Sequence, residues 1–460
     1  MRHSHLICFL FLFFSPLLKA QPLPGLSSSN YGGLYRVLQN PSAAAGSRYR
    51  YHLIPAAGIS TVNPTLFRYF NSNDYFGQLR LPYSDQLARD LRGIGSVTNA
   101  PATNGWSELI GPSVLVSLGR AHAIAVHTRI RSYLTGSSLP EPLTNAYRRG
   151  LYSRVLQPAE GSFDFNLANE SYAEAGLTYG LQVFNGELHR LRIGGTLRRI
   201  VAAQRRTLTA AGQYAIQTNA GTNEKTLSIQ NAAFMSQSSV PRQGFRLSGD
   251  DLGTGWAYDL GATYEIGYQT SDRRNRSAAG LDDLRPAYIL RLSAALLNNG
   301  QIDYRSGTSQ SGSFSQDFNQ DELDRFGNAP LEYLASRSNS TGQYLAETVN
   351  LPRTMHLEAD LRLSPAFYVN ALRVQNLGGR EVYPSQLIIT PRFEDEDSEI
   401  ALPVSFIGPD NRVAVGLSAR LGPIAVGMSD LNHFFNRSAE NRSTVFWLGI
   451  SAWKLQSVKN

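Results

Sequence analysis

Stretches of about ten residues in which apolar and polar side chains alternate recur along most of the chain, as in membrane β-barrel strands. In an extended strand, successive side chains point to opposite faces, so each stretch has one apolar and one polar face. The polar face repeatedly carries arginine and acidic residues near its middle. This pattern favours a closed β-barrel that has lipid on one side of its wall and a lumen on the other.

The alternation is clearest in six stretches: 124–131, 173–183, 190–198, 256–266, 355–363 and 412–421. Asn185-Gly186 lies between two of them, and this dipeptide is a strong hairpin signal. The stretch 367–374 does not alternate cleanly, so its faces stay unassigned. We predict an all-β chain that forms one antiparallel transmembrane barrel of about 14 strands, within a range of roughly 12 to 16.

Four long connections are more polar: 70–110, 135–170, 205–253 and 306–352. They are predicted to be outer loops or lumen fillers, with short helices within 86–91, 139–156 and 319–334. A soluble β-sandwich or solenoid with one wet face is the alternative to the barrel. Outside the first twenty residues, no apolar run approaches the ~18 residues of a spanning helix, which argues against a helical membrane protein.

The first twenty residues have the features of a signal peptide. Arg2 supplies the positive charge, residues 6–14 are apolar, and cleavage is predicted after Ala20. A buried helix at the start of a domain is the alternative interpretation. Cys8 is the one cysteine, and it precedes the end of the apolar run, so we do not predict lipidation. Residues 21–460 are therefore predicted to be one exported outer-membrane domain without disulfides, thiolate zinc sites or cysteine nucleophiles.

Several short segments carry a family resemblance: Asn40-Pro41-Ser42-Ala43 and the segments 259–265, 288–293, 390–394 and 420–424. In these segments the chain resembles a family of uncharacterised outer-membrane β-barrels of Bacteroidota, a domain of unknown function. It is more distantly similar to fatty-acid-transporter-like barrels and to the type IX secretion shuttle barrel. Asn-Pro-Ser replaces the commoner Asn-Pro-Ala, which is a small departure. The resemblance implies a bacterial outer-membrane barrel and no particular substrate.

Motifs for catalysis, cofactors and metals are weak or missing from the sequence. His127 could act as a base with a serine partner, but no serine is singled out, and a hydrogen-bonded lumen histidine is the simpler interpretation. His122 is predicted to point to the opposite face. The acidic run 394–399 and Asp250-Asp251 could bind Ca²⁺, but their spacing does not resemble a dedicated calcium loop, so solvated turns are the preferred interpretation. We predict no enzyme activity, no cofactor and no metal.

Although the formal charge is +7, the arginines are scattered, so we predict no nucleic-acid partner.

The charged residues of the polar faces are the candidate site, because rings of charge set the selectivity of pores. Their excess of arginine favours anionic solutes, whereas the alternative is that the charges pair across the lumen and close it. The predicted lumen-lining residues are Arg129, Arg131, Glu174, Arg190, Arg192, Arg198, Asp259, Glu265, Arg291, Glu358, Asp360, Arg362, Arg412 and Arg420.

The predicted function is porin-like or transporter-like passage of small anionic or hydrophobic solutes through this charge-lined lumen. One alternative is a non-conducting structural or secretion-accessory barrel with envelope protein partners. A second alternative is a barrel lipid or acyl hydrolase. Outer-membrane lipids are the expected surroundings, and aromatic side chains are predicted to anchor the wall at the membrane interfaces. The predicted anchors are Trp256, Tyr258, Tyr264, Tyr288, Phe406 and Phe446.

Overall fold

The structure is a computed structural model. It describes residues 23, 25–62, 103–119, 121–136, 140–151, 156–186, 188–219, 221, 224–239, 247, 249–267, 288–323, 336, 340–378, 385–408, 412–431 and 444–455. The predicted signal peptide and the predicted helix at 86–91 lie outside these residues.

The described residues form one sheet of 21 strand segments and a few short helices. The helices are α1 (Leu34–Val37), a 3₁₀ helix (Pro41–Ala43) and α2 (Glu141–Arg149). The segments are β1 (Tyr49–Val62), β2 (Thr103–Ile110), β3 (Ser113–Leu118), β4 (His122–Gly136), β5 (Ala159–Asn185), β6 (His189–Thr218), β7 (Lys225–Ser238), β8 (Gly253–Gly267), β9 (Tyr288–Tyr304), β10 (Gly307–Phe318), β11 (Ser340–Tyr344), β12 (Glu347–Asn350), β13 (Thr354–Arg362), β14 (Phe367–Asn376), β15 (Gln386–Glu394), β16 (Ser398–Ala401), β17 (Val404–Ile407), β18 (Arg412–Val415), β19 (Leu417–Leu421), β20 (Ile424–Met428) and β21 (Thr444–Leu455).

These segments make 14 antiparallel barrel strands, as the sequence predicted. Several barrel strands are interrupted by bulges or short breaks, so that one partner strand pairs with two or three segments in turn. For example, β6 pairs with β8 along its first half and with β7 along its second half.

The sheet closes on itself through β1 and β21. Their register runs from Tyr49 opposite Leu455 to Val62 opposite Thr444. Closure matters because a free strand edge would expose unpaired N–H and C=O groups, which a bilayer core does not tolerate. The predicted barrel is therefore confirmed as a closed structure.

The two ends of the barrel differ in the length of their connections. Five tight hairpins lie at the end where β1 begins and β21 ends, which we call the short-turn end. The Asn185-Gly186 hairpin is one of them, and its Gly186 N–H donates to the carbonyl of His189. In the described part of the chain, no helix has the length and apolar character that crossing a bilayer requires.

The outer surface of the barrel carries a belt of exposed apolar side chains around the described wall. Trp256, Leu260 and Tyr264 on β8 face outward, and so do Leu177 on β5, Ile400 on β16 and Leu448 on β21. Trp256 and Tyr264 are about 26 Å apart along a strand that rises ~3.3 Å per residue. A tilted strand of that length crosses most of the ~25 Å apolar band of a membrane barrel.

One side of the barrel extends well beyond the belt. We call this part the extension: residues 159–166 of β5, 205–218 of β6, and the whole of β7 and β10, with α2 packed on it. Its inner face is apolar and has a core of its own, formed by Leu143, Leu151, Tyr214, Ile216, Leu227, Ile229 and Phe318. Its outer face carries exposed polar residues such as Ser162, Asp164 and Gln213.

The polarity of the two faces is thus reversed between the belt and the extension. On β5 the buried side chains are even-numbered from Glu174 to Gly180 and odd-numbered from Phe165 to Asn169. The change lies next to a bulge in β6, where Ala202 and Ala203 both lie opposite Tyr172 and Ala202 has a positive φ of 57°. A bulge of this kind adds one residue to a strand and bends it locally. The reversal marks the outer limit of the apolar belt.

Three expectations from the sequence need correction or completion. All four predicted polar connections contain regular structure: 70–110 ends in β2, and 135–170, 205–253 and 306–352 hold α2, β7, most of the extension, and β11 and β12. They were missed because their outer faces are polar. Tyr288 was predicted to face lipid but is buried, because a register shift next to Gly267 turns it inward. The stretch 367–374 does alternate in the structure, with Tyr368, Asn370 and Val374 buried.

An arginine on the apolar belt should be far more harmful than one on the outer face of the extension. We expect Leu260→Arg to lower the free energy of unfolding by about 2–4 kcal/mol, because the guanidinium would face the bilayer midplane. Gln230→Arg is the control, with an expected change within about 0.5 kcal/mol. Equilibrium urea unfolding in lipid vesicles measures both. Equal effects would contradict the placement of the belt.

Candidate functional site

The lumen is occupied by the segment before β1. We call this segment the plug and define it as residues 23 and 25–48. Almost all of its side chains are buried, and Leu26, Leu34 and Tyr35 belong to the main apolar cluster of the barrel. The segment folds as turns and two short helices. Asn40 caps the 3₁₀ helix by accepting the Ser42 N–H, and Pro41 occupies the first helical position, where its missing N–H has no cost.

A patch of glycines in the wall forms the seat of this 3₁₀ helix. Gly180, Gly194 and Gly261 belong to the adjacent strands β5, β6 and β8 and point into the lumen. A methyl group on Gly194 would overlap Pro41, and one on Gly261 would overlap the Asn40 side chain. The plug can approach the wall this closely only because these positions lack a side chain.

Hydrogen bonds join the plug to the wall on several sides. Ser42 Oγ lies 2.7 Å from Thr263 Oγ1 on β8. Ser29 Oγ donates to Glu394 Oε2 on β15 at 2.9 Å, and Asn30 also donates to this carboxylate. Arg291 on β9 donates to Asn30 Oδ1 at 2.6 Å and to the Ser28 carbonyl at 2.8 Å. The plug is thus held by specific polar contacts as well as by apolar packing.

The charged residues of the wall form three groups, which we name by position. The first is the upper cluster, in which Glu174 accepts from Arg198 at 2.8 Å and also pairs with Arg129. Arg198 donates to Asp259 at 2.7 Å as well. Glu108 on β2 completes the cluster by pairing with Arg129 at 3.2 Å and with Arg131 at 3.1 Å.

The second group is the pair of Arg192 and Glu265 on β6 and β8. Two parallel hydrogen bonds of 2.7 and 3.1 Å join them, and Arg190 lies 3.8 Å from the same carboxylate. A bidentate contact of this kind is the strongest geometry for an arginine and a carboxylate.

The third group is the lower cluster, which is centred on Asp360. Arg392 donates to both oxygens of Asp360, at 2.6 and 2.8 Å, and Arg291 lies 3.1 Å from it. Arg291 also pairs with Glu358 at 3.1 Å, and Arg392 pairs with Glu394 at 3.2 Å. Tyr288 donates its hydroxyl to Asp360 at 2.5 Å, which explains why this tyrosine faces inward.

The structure brings eleven of the fourteen predicted residues into these three groups. The other three lie apart: Arg362 donates to turn carbonyls, Arg412 is half-buried at the first residue of β18, and Arg420 donates to the carbonyls of Asp395 and Glu396. Sequence reasoning missed Glu108, Arg392 and Glu394, and it missed the plug. Arg392 and Glu394 stand in a segment quoted for the family resemblance, and strand alternation through it would have placed both inside.

The acidic run 394–399 is divided between two roles. Glu394 and Glu399 are buried in the wall, whereas Asp395 accepts hydrogen bonds from Ser398 and from the Asp397 N–H in an exposed turn. Slight burial raises the pKa of Asp395, but these hydrogen bonds outweigh it and lower the pKa overall. No cluster of metal-ligand residues occurs among the residues that the structure covers.

His127 is buried in the wall, with its ring against Gly176 and the side chain of Arg198. Within the described residues, no serine or threonine hydroxyl is hydrogen-bonded to it, and its Nδ1 lacks a partner. His122 points outward and contacts Tyr179, as the alternation predicts.

Between the plug and the wall, one cavity measures about 20 Å³ and another about 40 Å³. A cavity of 10–15 Å³ is enough for one water molecule, so these two have room for roughly one to three. In the part of the chain that the structure describes, the plug therefore fills most of the charge-lined path, and the arginines of the three groups are paired with carboxylates.

The profile of one family, described as "Family of unknown function (DUF5723)", matches residues 43–429. The chain belongs to this family. The match runs from the 3₁₀ helix of the plug through β20. No curated protein matches the chain significantly.

Several solved structures are similar in fold. A Pseudomonas aeruginosa FadL homologue shares 9% identity over 95% of this chain and 100% of its own, with a TM-score of 0.41. The Pseudomonas putida toluene transporter TodX shares 11% identity over 94% and 98%, with a TM-score of 0.43. The translocator domain of the autotransporter NalP from Neisseria meningitidis shares 10% identity over 90% and 92%, with a TM-score of 0.32. We draw no conclusion about the substrate of this protein from these similarities.

Removal of one partner from the Arg192–Glu265 pair should destabilise the barrel strongly. We expect Glu265→Met to lower the free energy of unfolding by about 3–5 kcal/mol, because Arg192 would keep a buried and poorly compensated charge. The double variant Arg192→Met/Glu265→Met should recover most of this loss, since the buried charge of Arg192 is removed together with its main partner. Urea unfolding in detergent or vesicles measures both. A double variant that is as unstable as the single one would contradict this account of the pair.

Proposed function

We propose that the protein is an outer-membrane barrel that passes small solutes through its lumen when the plug leaves its seat. The observation that supports the proposal is how the lumen is filled. The closed path is filled by one continuous segment, which is tied to the wall by side-chain contacts and follows no strand register. Such a segment can move while the hydrogen-bonded wall stays intact.

The proposed location rests on the outer surface of the barrel. A continuous apolar belt suits contact with lipid, and the extension beyond it has a polar outer face that suits water. Bacterial barrels have short periplasmic turns and longer external connections, so we place the short-turn end in the periplasm and the extension outside the cell. The predicted signal peptide agrees with export. The bacterial phylum and the likeness to the type IX secretion shuttle barrel stay predictions from the sequence.

The proposed solutes are small, and we assign them no preferred charge. The arginine excess predicted from the sequence is reduced by acids that it missed, namely Glu108, Glu394 and Glu399. Because each of the seven arginines in the three charge groups has a carboxylate partner, the resting field in the lumen is weaker than a ring of unpaired arginines would produce.

A disulfide between plug and wall should control conductance. Ser42 Oγ and Thr263 Oγ1 are 2.7 Å apart, so Ser42→Cys/Thr263→Cys places two thiols in contact. The predicted mature chain has no other cysteine. We expect conductance in planar bilayers under reducing conditions and its loss on oxidation, because the bond would fix the plug in its seat.

Each single-cysteine variant is the control and should conduct equally under both conditions. If the double variant forms its disulfide, as verified by a gel-shift assay, and conducts equally in both states, the plug is not the gate. If neither the wild-type protein nor any variant conducts, the passage function itself is wrong.

A methyl group in the glycine seat should open the barrel. Gly194→Ala would overlap Pro41. Gly195 is the matched control, because a Cβ added there would lie on the lipid side and at an ordinary 3.7 Å from the Leu260 side chain. We expect a higher open probability for Gly194→Ala than for Gly195→Ala in single-channel recordings. The same open probability in both variants would argue against the seat.

The extension favours a second candidate function, a non-conducting accessory barrel of an envelope complex. It is a folded structure with its own apolar core, which is more than a simple pore requires. Under this alternative, none of the variants above would conduct in planar bilayers. Deletion of the extension would then release co-purifying envelope proteins while the barrel still folded.

A further inference from the structure

Arg36 is a buried cation of the plug, and no acidic residue pairs with it. It lies on α1, with 7% of its surface exposed, and its Nε has no hydrogen-bond partner. Within the described chain, no carboxylate lies within ion-pair distance of its guanidinium. This contrasts with Arg198, Arg291 and Arg392 of the wall, each of which contacts two acidic residues. A buried charge without a partner costs several kcal/mol, so a compensating group is expected nearby.

Arg36 lines the cavity of about 20 Å³ at the boundary between plug and wall. Gln39 of the plug and His356 of β13 also line this cavity, and each can donate an N–H into it. The hydroxyls of Ser27 and Ser28 already donate to carbonyls of the plug at 2.5 and 2.7 Å. Asn40 and Ser293 also line the cavity, but Asn40 donates its amide to the Ala262 carbonyl at 3.4 Å, and Ser293 Oγ lies 3.2 Å from Thr263 Oγ1. The remaining donors at the cavity belong to Arg36, Gln39 and His356.

The one acidic residue among the described residues that line the cavity is already hydrogen-bonded to other residues of the wall. This residue is Glu358, whose Oε1 accepts from Arg291 at 3.1 Å and from Asn370 at 2.8 Å. The pKa of Arg36 is lowered to about 10, first by burial and then by the positive charge of Arg291, and these effects outweigh the acids Glu358 and Glu265. The wall therefore does not supply the negative charge that Arg36 needs.

We propose that this cavity binds one monatomic anion of chloride size, held by Arg36 with Gln39 and His356. A water molecule would supply a hydrogen-bond acceptor but no charge, so an anion suits the site better. The volume leaves no room for phosphate, sulfate or a carboxylate-bearing solute. The ion would join α1 of the plug to β13 of the wall, and it would therefore stabilise the seated plug. The proposal does not require that the barrel conducts.

Thermal unfolding of the full-length protein in detergent tests the site. We expect the Tm to rise and then saturate as sodium chloride or bromide replaces sodium gluconate at constant ionic strength, because a ligand that binds only the folded state stabilises it. Arg36→Met should abolish this dependence. Its Tm in gluconate should equal or exceed that of the wild-type protein, since it removes a buried unpaired charge. Arg50→Met, which changes an exposed arginine of β1, is the matched control and should keep the halide dependence.

Crystals of the wild-type protein grown in bromide give a test that needs no variant. An anomalous bromine peak in the cavity beside Arg36 would support the site. A cavity that holds only water would overturn the proposal. A wild-type Tm that is the same in halide and gluconate, or a halide dependence that persists in Arg36→Met, would also overturn it.

Discussion

The constraint on which this structure depends is that no backbone N–H or C=O group can be left unpaired in hydrocarbon. The pairing of β1 with β21 meets it, because it converts a sheet with two edges into a wall with none. The wall then becomes stiff, since any opening between strands would break a row of hydrogen bonds. Changes in the lumen must therefore come from groups that are not part of the ladder, and the plug is such a group.

The inward-facing side chains of the wall are subject to a different constraint, which is the cost of burying charge. Arginines and acids on inward faces lie in a closed space, where each unpaired charge would be costly. The upper and lower clusters distribute each arginine over more than one carboxylate, as Arg198 does with Glu174 and Asp259. The glycine seat then lets the plug reach the wall between these clusters. Shape and charge together fill the lumen, so an inward-facing arginine in such a barrel is not by itself a sign of an anion pathway.

The part of the fold that could be predicted from the sequence is the part that lipid dictates. In a wall with hydrocarbon on one face, side chains must alternate between apolar and polar along each strand. Stretches such as 256–266 therefore allowed the barrel, its strand number and most of its inward-facing charged residues to be predicted. Beyond the belt, no hydrocarbon lies against the sheet, so that rule no longer applies. The strands of the extension were consequently interpreted as connections, and the bulge in β6 opposite Tyr172, where the buried side of β5 changes, has no local signal in the sequence. Tyr288 was misassigned because a register shift is invisible in an alternating pattern.

The plug could not be predicted for a related reason. Its backbone is irregular, so its residues follow neither a two-residue nor a helical period, and its contacts are with residues hundreds of positions away, such as Ser29 with Glu394. The Asn40-Pro41 pair was a visible marker of a capped turn, but nothing local shows what that turn packs against. Glu108 was missed because its strand lies in a segment that was interpreted as a polar connection.

The position of the plug in the chain has a consequence for assembly. The segment is synthesised before every strand, yet Tyr35 packs against Gly449 on the last strand and Ser29 contacts Glu394 on β15. These contacts cannot exist until the C-terminal strands have joined the sheet. Residues at the start of the wall-forming chain are thus among the last to reach their final places, and throughout barrel closure the nascent lumen has to stay wide enough to receive them.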